Sequence, residues 1–431
     1  MTWRCTAGAF LLSLCTTTLA SQNISGDWQG YWSRAGDTMP VTLHIRRDSG
    51  LAATFDSERL RVSGIPFHEL VVQRDRLTMV LRGDRTTSTF SGTIRGDAMR
   101  GTFSEEGEAD GFFFYRRVKN TPPPFEEREL VFNNGSLNLY GSLLLPPVPK
   151  KNAKPVPAVV FIQGSGAEGR WASRFLATEL VKRGIAAFIY DKRGVGKSQG
   201  DWRSASPADL AADAVAALAR VRQEPRIDPK RIGIHGHSQG GTLAPMIAVQ
   251  SPDVAFIVAS AAAALPMDSV ELFSLKNYVY PRATTPQDSA EALDYVTELV
   301  AMAYRGRSSS TRFDSLVCEF NGKPWYFAPP APEDSYWMFS RLFAQYKPLD
   351  WWAKVRVPVL LMYGTEDQRV PARASSARIW ATLERVAPQV SLTVSFVQGA
   401  DHTFRLPPGR GGWPRTPPDY LPTLLGWLQE R

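Results

Sequence analysis

The sequence predicts two modules. A small antiparallel all-β domain comes first, followed by a larger α/β domain built on a doubly wound, mostly parallel sheet that carries a cap insertion. Three observations predict this. From Gly26 to about Val118 apolar residues alternate with polar ones; after Pro155 the apolar runs become continuous and are spaced by helix-length segments; and about a hundred residues separate the run ending near Val258 from the one starting at Val357. Alternation with period two marks strands with one wet face, whereas unbroken apolar strands separated by helices belong to a parallel sheet covered on both faces.

Composition agrees with a globular chain. Of 431 residues 43% are apolar and 21% charged, which excludes disorder, collagen and coiled coil. Basic residues outnumber acidic ones 50 to 42, but they stand singly or in pairs such as Arg46-Arg47 and Lys150-Lys151. Nucleic-acid binding is not expected, because that function clusters its cations on one face.

Residues 1–20 read as a signal peptide: Met-Thr-Trp-Arg, a mostly apolar stretch from Cys5 to Leu19, and Ala20 before polar chain. The expected location is therefore exported, periplasmic or extracellular. No other stretch reaches the roughly 18 apolar residues of a membrane span, so no stable membrane insertion is expected. Two of the three cysteines fall in this leader, leaving Cys318 without a partner for a disulfide.

In residues 22–120, Val41, Leu43 and Ile45 oppose Thr42, His44 and Arg46, and Leu77, Met79 and Leu81 repeat the pattern. Turn signals at Arg47-Asp48-Ser49-Gly50, Arg82-Gly83-Asp84 and Arg95-Gly96-Asp97 complete an antiparallel barrel or sandwich. Residues 121–129, with Thr121-Pro122-Pro123-Pro124 and Glu126-Glu127-Arg128-Glu129, read as a stiff linker to an α/β domain over 130–431. There, strands are expected at Val156–Ile162, Ile185–Tyr190, Arg231–His235, Val254–Val258, Val357–Tyr363 and Val390–Val397. Helices are expected from Trp171 to Arg183, stopped by Gly184, and from Ser206-Pro207 onward. A cap is expected over about 265–352.

Ligands of such sheets bind outside the carboxyl ends of the strands, and three of those ends carry chemistry. Gly236-His237-Ser238-Gln239-Gly240 joins a strand directly to a helix, the setting of a nucleophile elbow that lifts Ser238 out of the sheet. A serine hydroxyl attacks only when a histidine takes its proton, and that histidine needs an acid to orient it. Of five histidines, His44 and His68 lie in the β domain, and His235 and His237 are too near the serine in sequence. That leaves His402, in Gly399-Ala400-Asp401-His402 beyond the last strand. Asp367, in Gly364-Thr365-Glu366-Asp367-Gln368, is the acid of choice over the adjacent Glu366 and over Asp401, the neighbour of His402. The backbone N–H groups of Gln239 and of Ser165, in Gln163-Gly164-Ser165-Gly166, are the expected oxyanion donors.

These motifs resemble those of the α/β-hydrolase superfamily over roughly residues 128 to 431. Asp191-Lys192-Arg193-Gly194-Val195-Gly196-Lys197-Ser198 looks like its D-x-R-G-x-G-x-S element, and GTEDQRVP and GADHTF look like its acid and histidine segments. GHSQGGTLAP over Gly236 to Pro245 is similar to the GHSEGG-x-x-AP elbow of bacterial exported serine esterases and serine-aminopeptidase-like hydrolases with a small β-rich domain in front. Gln239 stands where that elbow has Glu. The resemblance implies the α/β-hydrolase fold and hydrolysis of a small-molecule carboxylic ester through an acyl-enzyme, with no metal and no organic cofactor.

Two other functions compete. A serine aminopeptidase would share the triad and need a carboxylate cluster in the cap, for which Glu333 and Asp334 are candidates. A non-catalytic protein binding glycan or lipid through its β domain is the third. The cap is rich in rings, Trp325, Tyr326, Phe327, Tyr336, Trp337, Phe339, Trp351 and Trp352, which suit the cap's own core better than a substrate pocket. Acyl specificity and oligomeric state are not encoded in motif spacing.

Overall fold

The computed structural model describes residues 23–47, 50–82, 86–119, 122–147, 154–306, 311–408 and 412–431. The expected signal peptide lies outside these residues, as do the tips of the turns at Asp48-Ser49 and Gly83-Asp84.

The first module holds nine strands: β1 (Gly26–Arg34), β2 (Asp37–Arg47), β3 (Leu51–Ser57), β4 (Val62–Pro66), β5 (Glu69–Gln73), β6 (Arg76–Arg82), β7 (Thr87–Arg95), β8 (Ala98–Glu105) and β9 (Gly111–Val118). They form one antiparallel sheet in the order β4-β3-β2-β1-β9-β8-β7-β6-β5. The sheet curls until its two ends meet. Phe67 donates its N–H to the Ala53 carbonyl on β3 (2.9 Å), and the next residue, His68, donates to Val80 on β6 (2.8 Å). Inward side chains follow the alternation of the sequence: Val41, Leu43, Ile45, Leu77 and Met79 are buried around Trp28, Trp32, Phe90 and Phe113, while Leu81 is only half-buried.

The second module begins with β10 (Glu126–Asn134), β11 (Leu137–Leu145), β12 (Val156–Ile162), α1 (Trp171–Val181), β13 (Ala186–Tyr190), α2 (Pro207–Arg222), β14 (Ile227–His237), α3 (Gln239–Gln250) and β15 (Val254–Ser260). The cap follows as α4 (Met267–Val279), α5 (Pro286–Arg305), α6 (Thr311–Phe320), α7 (Ser335–Phe343) and α8 (Pro348–Trp352). The module closes with β16 (Val359–Gly364), α9 (Ala372–Val386), β17 (Leu392–Val397) and α10 (Tyr420–Gln429). Its eight strands run β10-β11-β13-β12-β14-β15-β16-β17, parallel from β13 to β17, with β10 and β11 antiparallel at one edge. Residues of α2, α3, α8 and α9 pack on one face of this sheet and those of α1 and α10 on the other. This is the α/β-hydrolase fold.

Local signals explain the helix limits. Ser206 caps α2 reciprocally with Asp209, and Pro207 supplies a helical φ where no N–H is needed. Gly184, at φ +83°, turns the chain out of α1 into β13.

One boundary differs from the sequence expectation. Glu126-Glu127-Arg128-Glu129, read as linker, is the first half of β10, so the α/β module starts at Glu126 rather than at 130. Its charges mislead because β10 is an edge strand whose side chains find partners. Glu127 pairs with Arg174 (2.6 Å), and Glu129 with Lys197 (2.8 Å).

The cap has its own core. Trp325 is fully buried with Tyr295, Phe313 and Phe320, and Tyr326, Phe327, Tyr336 and Trp337 pack against that cluster. Trp352 belongs instead to the core under the sheet, with Phe339 and Trp351 beside it.

Candidate active site

The nucleophile elbow puts its strain on the serine. Ser238 sits at φ +54°, ψ −113°, a region that L-residues avoid. Neighbouring glycines permit it by close approach: a Cβ on Gly236 would lie 2.3 Å from the carbonyl of Gly240, and one on Gly240 would lie 2.3 Å from the Ile162 carbonyl. The Ser238 N–H donates to Ser260 at the end of β15 (2.8 Å), and its carbonyl accepts from the N–H and hydroxyl of Thr242 (both 2.9 Å).

Three strand ends converge here. The Ser238 hydroxyl lies 2.9 Å from Nε2 of His402, in the loop after β17, and Nδ1 of His402 lies 2.8 Å from Oδ2 of Asp367, in the loop after β16. An ionised carboxylate only accepts, so Nδ1 carries the proton and Nε2 is left to accept from the serine. The Asp367 side chain is fully buried, and its second oxygen accepts the N–H groups of Arg369 (2.8 Å) and Val370 (2.9 Å), which fixes its plane. The two alternative acids are placed elsewhere. Glu366 turns to the hydroxyl of Thr365, and Asp401 accepts from Thr403 and Arg405 as the cap of its own turn.

His235 and His237 are packed, as expected of strand-end residues. Nε2 of His235 meets the Ser260 hydroxyl at 3.2 Å, and Nε2 of His237 donates to the carbonyl of His402 at 3.0 Å. Burial, aided by mutual repulsion, drives the first down to about 3; burial and the nearby His402 drive the second down to about 4. Both rings are neutral at pH 7.

Gln239 is the first residue of α3, so its N–H has no intrahelical partner and points at the helix N-terminus. In the facing loop the Gly164 N–H is taken by Glu168 (2.6 Å), and Ser165, next in the chain, is exposed.

A residue whose role the sequence reading passed over ties Gln239 to this loop. Lys192, 3% exposed, directs its ammonium to the carbonyls of Gly164 (2.5 Å) and Gly166 (3.2 Å) and to Oε1 of Gln239 (2.8 Å). Three N–H bonds meet three acceptors. Burial pushes the Lys192 pKa down to about 8, with Glu168 the charge that opposes this. The rest of the D-x-R-G-x-G-x-S element is scaffold: Asp191 pairs with Arg170 (2.8 Å), Arg193 with buried Asp213 (2.6 Å), and Ser198 bonds the Asp191 carbonyl (2.7 Å). The signal was there in a lysine placed directly after a buried strand.

The cap acids behave differently from one another. Asp334 accepts from the Tyr336 N–H (2.8 Å) as the N-cap of α7, while Glu333 is exposed on the wall of a groove shared with Asp201, Trp202 and Arg341. Cys318 is a free, exposed thiol. Among the described residues no helix is long and apolar enough to cross a membrane.

Comparison with known proteins bears on this geometry. A family model described as serine aminopeptidase, S33, matches residues 153–405. A thiohydrolase of Arthrinium phaeospermum is 34% identical over 111 residues, covering 26% of this chain and 36% of its own length. Esterase EstD of Thermotoga maritima is 28% identical over 165 residues, 35% of this chain and 38% of its own. The chain thus spans a little over a third of the curated relatives it matches. Among solved structures, an esterase of Pyrococcus furiosus overlays with a TM-score of 0.45 at 19% identity, covering 73% of this chain and 94% of that one. Since the family match takes in more than half of the chain and includes the elbow, the acid and the histidine, the protein belongs to the serine aminopeptidase S33 family of α/β hydrolases.

Proposed function

We propose that the protein is a serine hydrolase that cleaves carboxylic esters of small molecules through an acyl-enzyme on Ser238. The observation that carries this is the unbroken hydrogen-bonded line from Ser238 through His402 to Asp367, set at the N-terminus of α3. In the reaction Oγ of Ser238 attacks the ester carbonyl carbon while its proton passes to Nε2 of His402. Asp367 holds the imidazolium by Nδ1–H. The carbonyl oxygen takes the negative charge and is met by the N–H groups of Gln239 and Ser165. His402 then returns the proton to the departing alcohol, the C–O bond breaks, and a water activated by the same histidine releases the acid.

The same steps cleave a thioester, the bond that the name of the thiohydrolase relative suggests. A peptidase reading rests on the family's description, but of its two cap acids Asp334 is committed to capping α7. From the sequence of residues 1–20 we place the enzyme outside the cytoplasm.

Turnover of nitrophenyl acyl esters, the matching thioesters and aminoacyl nitroanilides by the mature protein tests the assignment. Ester or thioester cleavage at rates well above the anilides supports it. Cleavage of anilides alone would make the protein a peptidase.

A further inference from the structure

We propose that the N-terminal β domain holds the histidine loop in register, with Arg61 as the positioning residue through which it acts. This rests on the reading of His402 as the catalytic base. The loop after β17 carries His402 on a stretch whose three successive carbonyls, of His402, Thr403 and Phe404, are each bonded by a distant side chain. His237 holds the first (3.0 Å), and Arg61 of the β domain holds the second and third (2.5 and 2.8 Å). The guanidinium also lies over the Tyr420 ring, 4.4 Å from its centroid, and Tyr420 stacks on Phe404 (4.7 Å between centroids).

The bond is returned. Arg405 of the loop donates to the carbonyl of Leu60 (2.9 Å), the residue before Arg61. Two guanidinium groups so near each other repel, and burial together with Arg61 lowers the pKa of Arg405. Both partners sit on unusual backbone: Arg61 has φ +54° and Phe404 φ +57°. Like charges and left-handed residues are costly, and they persist where the surroundings over-determine them.

Further along the loop, Trp413 leaves its own module altogether. Its ring is 6% exposed inside the core of the β domain, 5.9 Å from Trp32 and 6.0 Å from Phe103 between centroids, with Arg34 stacked at 4.2 Å. Asp37 accepts the Trp413 N–H (2.9 Å), and a Cβ on Gly412 would lie 2.5 Å from that carboxylate. Arg59 pairs with Asp37 (2.6 Å) and donates to the Trp413 carbonyl (3.2 Å). The loop is therefore pinned at Thr403 and Phe404, ahead of an antiparallel bridge between Leu406 and Arg415, and again at Trp413, which lies between the two bridged residues. His402 must hold two hydrogen bonds at once, and a displacement of about 1 Å at a reacting group costs up to roughly a hundredfold in rate. Trp413 anchors the loop to the β domain; Arg61 sets its height under the imidazole.

The test compares Arg61→Met with Arg117→Met, which removes bonds inside the β domain to Asp97 and to the carbonyls of Asn23 and Ser25 and touches no residue of the histidine loop, and with Ser238→Ala. For R61M we expect kcat on a nitrophenyl ester to fall between tenfold and a hundredfold with KM within threefold of wild type, and labelling of Ser238 by a fluorophosphonate to slow in parallel. R117M should lower the thermal midpoint as much as R61M and keep kcat within threefold. If R61M does not fold, Arg61→Lys takes its place and should lose kcat by a smaller factor. A kcat for R61M or R61K within twofold of wild type overturns the proposal, as does an equal loss in R117M at equal thermal midpoint. Unchanged turnover in S238A would instead overturn the assignment of the nucleophile.

Discussion

Nζ of Lys192 lies 2.8 Å from Oε1 of Gln239, so a buried ammonium joins the residue after the nucleophile to the loop that faces it. As a cation it has three N–H donors for three acceptors; as a neutral amine it has two, and one loop carbonyl loses its partner. With the Lys192 pKa pushed down to about 8, its grip on Gln239 and on the loop that carries the proposed second oxyanion donor is complete below that pH and weakens above it. Ester turnover should therefore fall on an alkaline limb near pH 8. Gln239→Glu places a carboxylate beside the ammonium, which favours the charged form, and should move that limb upward by about one unit or more. Nε2 of Gln239 finds no partner among the described residues, so this exchange sacrifices no bond. A pH-rate profile of the two proteins checks both statements.

Asp367→Asn keeps the size of the side chain and can still accept from Arg369 and Val370, but it no longer requires a proton on Nδ1 of His402. We expect kcat to fall by about 10³ to 10⁴ with little change in thermal midpoint, because the histidine is then free to adopt the wrong tautomer. Steady-state kinetics beside a melting curve separate this from unfolding.

Gly240→Ala should unfold the elbow rather than slow it. Its Cβ would meet the backbone carbonyl of Ile162 at 2.3 Å, and neither strand nor helix can yield there. A loss of at least about 2 kcal/mol is expected in urea denaturation, in the range of overpacked cores.

His235 and His237 are held neutral at about 3 and 4, below the 6.5 of the unfolded chain. Between pH 6.5 and about 4 the unfolded chain thus binds protons that the native one refuses, and stability falls as pH drops through that window. His44 works in the opposite sense. Burial opposes its charge, but hydrogen bonds to Asp56 and Asp27 outweigh it and raise the pKa, so its contribution is full below 6.5 and is lost as pH rises. Unfolding free energies from urea denaturation at pH 6.5 and 5 should differ by about 2 to 4 kcal/mol in favour of 6.5, at about 1.4 kcal/mol per unit. His237→Gln should reduce the difference.

What could be read in the sequence was what local chemistry writes there. Ser238, Asp367 and His402 each follow the carboxyl end of an apolar strand, and the parallel sheet brings those ends to one edge. The β domain declared itself through Val41, Leu43 and Ile45. Contacts between distant segments left no such mark. Arg61 and Phe404 are separated by 343 positions, and nothing around either announces the other. Trp413 was lost among Gly and Pro residues that suggest only a loop. Glu126 to Glu129 were misassigned because an edge strand tolerates charge, so composition spoke for a linker where pairing with β11 made a strand.

The proposed role of Ser238 as nucleophile is the centre on which the rest depends, and its direct test is chemical. The wild-type protein is treated with a fluorophosphonate or quenched during turnover of a slow nitrophenyl ester, the adduct is located by peptide mass, and Ser238→Ala is assayed beside it. One adduct per chain on the peptide bearing Ser238, with ester turnover abolished in the variant, is the expected result. Undiminished turnover in Ser238→Ala, or an adduct on another residue, would contradict the assignment.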